Sequence, residues 1–312
     1  MGVTALSPAL SLGEGSTPLV PAARLSDALG FELHLKLEGS NPTGSFKDRG
    51  MVVAVARAAG AGARAVVCAS TGNTAASAAA YAARAGLEAV VLTPAGGTAS
   101  AKRAQARAAG ARVLEIRGSF DDTLRLAREL GARPGFVLVN SVNPDRIEGQ
   151  KSVAHELVEQ LGAVPDVVAL PFGGGGNVTA VALGLQEAAA GSRIVVGQAA
   201  ERATTWASAI RIAEPAHAEG VAALVDTGRL EVVTLSEDEL GTWWRRLATE
   251  EGAFCEPASA AGVAALARLG LPSDQVAVAI LTGHGLKDAE AVDQGAGAVV
   301  EPTIEAIPEE LG

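Results

Sequence analysis

Short apolar runs alternate with alanine-rich helical stretches along most of the chain. Between about residues 63 and 118 the order is strand, helix, strand, helix, strand, and the predicted strands are "ARAVVCAS", "LEAVVLTP" and "ARVLEIRG". Such runs, separated by helical stretches, are typical of parallel sheets with helices on their faces. The stretch "TGNTAASAAAYAARAG" predicts a turn and a helix that ends at Gly86, because glycine is a favourable residue just beyond a helix.

A second set of elements follows "GFVLVNSVNP". The stretch "GQKSVAHELVEQLG" predicts a helix, and strands are predicted in "PDVVALPF", "SRIVVGQ" and "QVAVAILTGHGLKD". The predicted fold is therefore α/β, with two open, mostly parallel twisted-sheet lobes and helices on both faces of each sheet. In such sheets the ligand site lies beyond the carboxyl ends of the strands. We expect the active site in the cleft between the lobes.

Composition and charge narrow the class of protein. The chain has 312 residues, only 3% aromatic residues and a net charge of -10 without a basic run, which disfavours a nucleic-acid partner. No apolar stretch has the length of a membrane span and no secretory leader is visible. Two distant cysteines and four scattered histidines form no metal-binding pattern. We therefore expect a cytoplasmic protein without a metal site.

The candidate chemistry begins with one lysine. Lys47 stands in "GSNPTGSFKDRG", after a loop of small turn-forming residues and between Phe46 and Asp48. A solvated lysine at a loop–helix junction would explain an isolated motif equally well. Four consecutive glycines, Gly173 to Gly176, followed by Asn177 then separate a strand from a helix. Their N–H groups and the helix dipole predict a phosphate cradle, and the alternative is a flexible tight turn.

Another strand–helix loop, "STGNTAAS", collects hydroxyls and an amide. Ser70, Thr71, Asn73 and Thr74 lie where a helix is predicted to begin, and such a helix end is an anion site. Helix capping explains one of these side chains, but not all four. We therefore predict that the cluster binds a substrate carboxylate.

Two later loops carry further polar side chains. Thr282 ends a predicted strand in "LTGHGLKD", and His284 in the same loop is either a general base or a packing residue. The loop "VNSVNPDRIEGQK" carries Asn140, Ser141 and Arg146. Arginine bonds phosphate or carboxylate with two parallel N–H groups. The alternative for Arg146 is a surface salt bridge with Asp145 or Glu148.

Together these segments resemble the fold type II family of pyridoxal-phosphate enzymes. Within that family the similarity is to the threonine synthases. The resemblance extends from "EGSTPLV" to Asp288 and is carried by the segments "NPTGSFKDRG", "ASTGNTAASAAAYAA", "NSVNPDRIEGQK", "ASAIRI", "EPASAAG" and "LTGHGLKD". It implies a carbon–oxygen lyase that converts O-phospho-L-homoserine and water to L-threonine and phosphate by γ-elimination and β-addition of water.

The resemblance also assigns roles to residues. Lys47 would form the Schiff base with pyridoxal 5'-phosphate and shuttle protons. The other implied cofactor-binding residues are Phe46, Asn73 at the ring hydroxyl, Gly173, Gly174, Gly175, Gly176 and Asn177 at the phosphate, and Thr282 at the pyridine nitrogen. Thr71 and Thr74 would bind the substrate carboxylate. The implied substrate-phosphate residues are Ser70, Asn140, Ser141 and Arg146.

The resemblance implies a homodimer and a division of the chain. Residues 1–40 and 139–312 would form a larger lobe that binds the cofactor phosphate, and residues 41–138 a smaller mobile lobe. The phosphate loop departs from the family, in which it usually reads Gly-Asn-Ala-Gly-Asn, because positions 174 and 175 are both glycine and Gly174 stands in place of an asparagine. The substrate alternatives are therefore a serine or threonine dehydratase, or a β-replacement enzyme such as a cysteate synthase acting on O-phosphoserine. No role is predicted for residues 289–312.

Overall fold

The strands of the molecule form two separate sheets. A computed structural model describes residues 10–96 and 101–292. The strands of this part are β1 (Leu19–Pro21), β2 (Glu32–Leu37), β3 (Ala65–Ala69), β4 (Glu88–Pro94), β5 (Arg112–Ile116), β6 (Phe136–Leu138), β7 (Val167–Pro171), β8 (Arg193–Ala199), β9 (Leu230–Leu235) and β10 (Val276–Leu281). One sheet has the order β1-β2-β10-β7-β8-β9 and the other β5-β4-β3-β6. β1 is antiparallel to β2, and the other pairings are parallel.

Helices connect the strands. They are α1 (Ala23–Leu29), α2 (Lys47–Gly60), α3 (Asn73–Ala85), α4 (Ala101–Ala108), α5 (Phe120–Gly131), α6 (Pro144–Gln150), α7 (Ser152–Leu161), α8 (Gly176–Glu187), α9 (Ala218–Asp226), α10 (Glu237–Glu251) and α11 (Ala261–Leu269). Short 3-10 helices cover Glu38–Ser40, Ser208–Ile210, Pro257–Ala260 and Gly285–Ala291. In the described part of the chain, no helix has the length and apolarity to cross a bilayer.

Both faces of each sheet are covered by core. Successive strand residues point to opposite faces, and in β7 Val168 and Leu170 join one apolar cluster while Ala169 joins another. In β3, Val66 and Val67 likewise belong to different clusters. The apolar runs therefore predicted parallel strands correctly; β3 and β7 are buried throughout, whereas the edge strand β5 is largely exposed. The predicted α/β class, with two mostly parallel sheets and helices on both faces, is confirmed.

Two strands from opposite ends of the described chain are neighbours in the large sheet. β2 lies beside β10, although more than two hundred residues separate them along the chain. The four strands of the small sheet all lie between residues 65 and 138, within the interval between β2 and β7. The large sheet is therefore completed only by strands from both ends of the described chain.

One predicted helix is in fact two. The sequence predicts a continuous helix from residue 149 to 162, but α6 ends at Gln150 and α7 begins at Ser152. Helix α6 crosses α2 so closely that a Cβ on Gly149 would lie 2.1 Å from the carbonyl oxygen of Arg49. A Cβ on Gly50 would lie 2.3 Å from the carbonyl oxygen of Arg146. These two glycines permit the crossing, which places α6 directly behind the start of α2.

Candidate active site

Asp48 fixes the loop in front of Lys47. The backbone N–H and the hydroxyl of Thr43 donate to its carboxylate at 2.7 and 2.6 Å, and the Ser77 hydroxyl donates to it at 2.6 Å. Gly44, in the same loop, has a φ of +84°, which favours glycine. The turn-forming residues thus lead directly to the start of α2, and Lys47 is the first residue of that helix.

Arg49 anchors the same helix to the large sheet. Its guanidinium donates to both carboxylate oxygens of Glu38 at 2.7 Å each, and to the two oxygens of Glu156 at 2.6 and 2.7 Å. Burial alone would raise the pKa of Glu156, but the hydrogen bonds and charge of Arg49 with the hydrogen bond from Lys36 lower it to about 2. Asp48 and Arg49 therefore hold the position of Lys47 from both sides.

The Lys47 amine has a pKa close to neutral pH. The side chain is half-buried, and its Nζ lies 4.3 Å from the centroid of the Phe46 ring. Burial lowers the pKa of Lys47 to about 7; the charge of Arg146 acts in the same direction and that of Glu256 opposes the change. A large share of the amine is therefore unprotonated near pH 7, as a nucleophile or general base requires.

The loop after β10 pairs directly with the lysine loop. The Phe46 N–H donates to the carbonyl of Thr282 at 3.1 Å, and the His284 N–H donates to the carbonyl of Gly44 at 2.9 Å. These bonds bring Thr282 next to Lys47. The Thr282 hydroxyl lies 3.2 Å from the Ser259 hydroxyl and is nearly buried.

His284 serves as a packing and capping residue in this loop. Its Nδ1 accepts a hydrogen bond from the Leu286 N–H at 3.1 Å, and its ring meets Phe254 edge to face. Of the two interpretations offered by the sequence, the structure supports packing.

The hydroxyls at the start of α3 are not used to cap it. The N-cap residue is Gly72, and α3 has no side-chain capping bond. Ser70 accepts from the Gly72 N–H at 3.0 Å, Thr71 is exposed and Thr74 is half-buried. The first N–H groups of a helix have no intrahelical partner. This helix end therefore remains available for an anion.

Asn73 is buried at the same helix start. Its Nδ2 donates to the Glu256 carboxylate at 2.8 Å, and its Oδ1 has no partner among the described residues. Glu256 is completely buried and lies 2.7 Å from the amine of Lys102. Sequence reasoning assigned Glu256 no role, although a lone acid in the apolar segment "CEPASAAG" was the available signal.

The glycine loop forms a narrow turn between β7 and α8. Gly175 has a φ of +86°, and a Cβ on it would lie 3.0 Å from that of His217. A Cβ on Gly173 would lie 3.2 Å from the Ala209 carbonyl oxygen. Gly174 differs, because its φ is not positive and a Cβ there would make only an ordinary contact with Ile212. The space and the backbone require glycine at 175 but not at 174.

Two residues that the sequence did not suggest hold this loop. Arg202 donates to the Gly173 carbonyl at 2.6 Å. The His217 N–H donates to the Gly174 carbonyl at 3.1 Å, and its Nε2 lies 2.9 Å from the Ser141 carbonyl oxygen. His217 therefore joins the glycine loop to the Ser141 loop. Such contacts span 29 to 76 positions and leave no local pattern.

Asn140 and Arg146 are placed differently from the interpretation based on the sequence. The Asn140 amide both donates to and accepts from the Ala69 backbone, at 2.8 and 2.9 Å. Arg146 is completely buried and donates to the carbonyls of Val139 and Lys47, at 2.9 and 3.4 Å. Burial lowers the pKa of Arg146 to about 10, with nearby Cys68 and Asp48 acting in the opposite direction.

The alternative of a surface salt bridge for Arg146 is wrong. Asp145 pairs with Arg57, and Glu148 pairs with Lys151 at 2.6 Å. Because α6 crosses immediately behind α2, the side chain of Arg146 turns into the interior. It lies behind Lys47 instead of at the surface.

The cysteines take no part in this site. Both are free and buried, and burial raises the pKa of each thiol to about 12. Within residues 10–96 and 101–292, no cluster of three His, Cys, Asp or Glu side chains could hold a metal ion.

Comparisons with known proteins agree with this geometry. Residues 10–283 match the family described as pyridoxal-phosphate dependent enzyme. The chain is 46% identical to the threonine synthase of Halalkalibacterium halodurans, over 92% of this chain and 86% of that one. It is 42% identical to that of Methanocaldococcus jannaschii, over 90% and 77% of the two chains.

Solved structures of other enzymes share the fold. A threonine deaminase of T.th. superimposes with a TM-score of 0.72 at 26% identity, over 86% of this chain and 92% of that one. An O-ureido-L-serine synthase does so with a TM-score of 0.76 at 25% identity, over 90% and 93%. These structures are similar in fold but lower in identity than the curated relatives. By the family match and those relatives, the chain belongs to the pyridoxal-phosphate dependent enzymes and, within them, to the threonine synthase family.

Proposed function

We propose that the enzyme converts O-phospho-L-homoserine and water to L-threonine and phosphate. One observation carries the proposal at the site: the partly neutral amine of Lys47 lies beside the carboxyl end of β10 in a loop pair that connects the two sheets. The relationship to threonine synthases over nine-tenths of the chain supports the choice of reaction.

The residues present fit pyridoxal phosphate. Several buried polar atoms at the site have no hydrogen-bond partner within the described part of the chain, among them Ser45 Oγ, Asn73 Oδ1 and Asn177 Nδ2. The glycine loop offers backbone N–H groups at the start of α8, a suitable cradle for phosphate. Asn73 and Thr282 would hold the ring, and Lys47 would carry the cofactor. When bound, the cofactor supplies a ring that withdraws electrons from the amino-bearing carbon of the substrate.

Lys47 would also move protons. An amine with a pKa of about 7 can accept a proton from carbon and return it without a large energetic penalty. Phe46 and the paired loop after β10 keep water away from one side of the amine. We assign to Lys47 the removal of the α proton and, once the amine has released that proton, the removal of the β proton before phosphate leaves the γ carbon.

The substrate brings two anionic groups. We assign its carboxylate to the open start of α3, with Thr71 and Thr74, and its phosphate to Ser70 and Ser141. In its observed position, Arg146 affects the site through its charge, which lowers the pKa of Lys47. A contact with the substrate phosphate requires its guanidinium to leave the Val139 carbonyl. Asn140 requires a similar release from Ala69.

We also propose the two-lobe division, with residues 1–40 and 139–312 in the larger lobe and 41–138 in the smaller. Two buried lysines reach across the proposed boundary in opposite directions. Lys102 donates to Ser208 at 3.1 Å, and Lys287 donates to the Thr43 carbonyl at 2.5 Å and to Gln105 at 2.7 Å. A homodimer and a cytoplasmic location complete the proposal.

The direct test is product analysis with purified, cofactor-loaded enzyme. Phosphate and threonine are expected in equal amounts from O-phosphohomoserine, with both lost in Lys47→Ala. Lys151→Ala is the matched control, because Lys151 pairs with Glu148 and Glu187 away from the site, and it should keep its activity. Phosphate accompanied by 2-oxobutyrate in place of threonine would contradict the water-addition step. Turnover of serine, threonine or O-phosphoserine alone would contradict the choice of substrate.

A further inference from the structure

The Asn73 amide is held in one of its two orientations. A carboxylate accepts hydrogen bonds but does not donate them, so the amide end that faces Glu256 must be the nitrogen. The distance from Asn73 Nδ2 to Glu256 Oε2 is 2.8 Å. Asn73 Oδ1, which is buried, has no partner among the described side chains and backbone groups. The amide therefore leaves its carbonyl oxygen unpaired.

The surroundings of Glu256 accommodate a buried carboxylate. Lys102 Nζ lies 2.7 Å from its Oε1, which supplies the opposite charge that a buried carboxylate needs. The Glu256 N–H donates to the carbonyl of Gly283 at 2.9 Å. A Cβ on Gly283 would lie 1.9 Å from Glu256 Oε2, so the missing side chain at 283 makes room for the carboxylate.

Glu256 also faces the other titratable groups of the site. The charged or titratable neighbours that it influences are Lys102, Lys47, Lys287 and the Cys255 thiol. Its charge favours the protonated amine of Lys47 against the effect of burial. One carboxylate thus acts on the lysine and on the asparagine at the site.

We propose that Glu256 is a positioning residue, which orients the Asn73 amide and thereby sets the ionisation of the ring hydroxyl of the bound cofactor. The inference rests on the proposed function only in placing that hydroxyl at Asn73. When the amide nitrogen faces Glu256, the amide oxygen is left as a hydrogen-bond acceptor for the ring hydroxyl. An acceptor stabilises the protonated form of the hydroxyl and so raises its pKa. The negative charge of Glu256 acts in the same direction.

The test uses the cofactor-loaded enzyme without substrate. The ultraviolet–visible absorption of the lysine-bound cofactor is recorded against pH, because its bands report the ionisation of the ring hydroxyl. Glu256→Gln keeps the size of the side chain but can donate as well as accept, so the Asn73 amide is free to turn. The midpoint should fall by about one pH unit, the tenfold change that a hydrogen bond of ordinary strength supplies. An unchanged midpoint would overturn the proposal.

A second variant separates position from charge. Glu256→Asp keeps the charge, but its shorter side chain does not reach the Asn73 amide. The midpoint of the absorption titration should therefore again fall. If only Glu256→Gln shifts it, Glu256 acts as a buried charge and not by positioning the amide. This variant also serves if Glu256→Gln does not fold.

A double-mutant cycle with Asn73→Ala tests the route of the effect. In the Asn73→Ala background, Glu256→Gln should move the midpoint clearly less than in the unmodified enzyme, because only the direct effect of the charge remains. A residue of merely structural importance would lower thermal stability equally in both backgrounds. A full shift in that background would refute the role of Asn73. Because no substrate is present, these readings do not depend on whether the enzyme makes threonine.

Discussion

The lowered pKa of Lys47 makes a quantitative prediction about its reactivity. Burial and Arg146 bring the pKa from 10.5 to about 7, against the effect of Glu256. In the cofactor-free enzyme at pH 7, about one amine in two is then neutral, compared with about one in three thousand at a pKa of 10.5. Lys47 should therefore react with an amine-directed reagent at pH 7 far faster than an ordinary lysine.

Two substitutions should move this titration in opposite directions. Arg146→Met removes a positive charge that lowers the pKa of Lys47, so the midpoint of labelling should rise. Glu256→Gln removes the opposing negative charge, so the midpoint should fall. Unit charges about 10 Å apart interact with an energy on the order of 1 kcal/mol in a partly screened site, which corresponds to a shift of the midpoint by about 0.7 pH unit. At pH 7, where about half of the amine is already neutral, labelling should be about threefold slower in Arg146→Met and rather less than about twofold faster in Glu256→Gln.

The assay is competitive labelling at a series of pH values, with the modified Lys47 peptide measured by mass spectrometry. Circular dichroism checks that each variant is folded, and Lys151 in the same digest provides an internal reference. A midpoint near 10.5 in the unmodified enzyme would refute the assignment. Shifts of the same sign in both variants would refute the charge argument.

The same pKa predicts how stability depends on pH. Because folding lowers the pKa of Lys47, the unfolded chain binds more protons between pH 7 and 10.5. The free energy of unfolding of the cofactor-free enzyme should therefore rise across this window, by at most about 5 kcal/mol at about 1.36 kcal/mol per pH unit. Lys47→Met should abolish this contribution to the slope in denaturant titrations.

Three shorter predictions concern the supports of the site. Gly175→Ala should cost about 1–2 kcal/mol because of its positive φ, whereas Gly174→Ala should leave the melting temperature unchanged or slightly raised; equal losses would contradict the loop geometry. The pKa of Glu156, lowered to about 2, means that its stabilising contribution, present above pH 4.5, is lost as pH falls towards 2; Glu156→Gln should flatten that part of an acid-denaturation curve. His217→Ala should weaken binding of the cofactor about fivefold in equilibrium titration, since one hydrogen bond to the Ser141 loop is lost, and unchanged affinity would refute a supporting role.

The sequence predicted the order of elements better than the contacts between them. Apolar runs and glycine stops depend on neighbouring residues, so strands such as β3 and β7 and the end of α3 at Gly86 could be located directly. The boundary between α6 and α7 was missed because it follows from the close crossing of α6 and α2 at Gly50 and Gly149. That crossing has no signal in either segment alone.

At the site, too, the sequence predicted the residues better than the contacts between them. The loop residues were found because several unusual residue types stand together, but their partners were not. Glu256 lies 183 positions from Asn73 and Glu156 lies 107 from Arg49, and a buried acid reads in sequence like any other acid. The polar neighbours of Arg146 suggest a surface position, whereas packing behind α2 buries it.

The adjacency of β2 and β10 determines when this enzyme can become active during its synthesis. A ribosome that has released everything up to β9 has supplied the lysine loop and the glycine loop, but not the strand that lies between β2 and β7. Until β10 emerges, the large sheet has a gap at its centre, and the loop that pairs with Phe46 and Gly44 does not yet exist. Parallel strands that are distant in sequence pair late. Because the low pKa of Lys47 depends on burial, a chain that lacks β10 would carry an ordinary, mostly protonated lysine, and capture of the aldehyde cofactor would have to wait until β10 and its loop have been added.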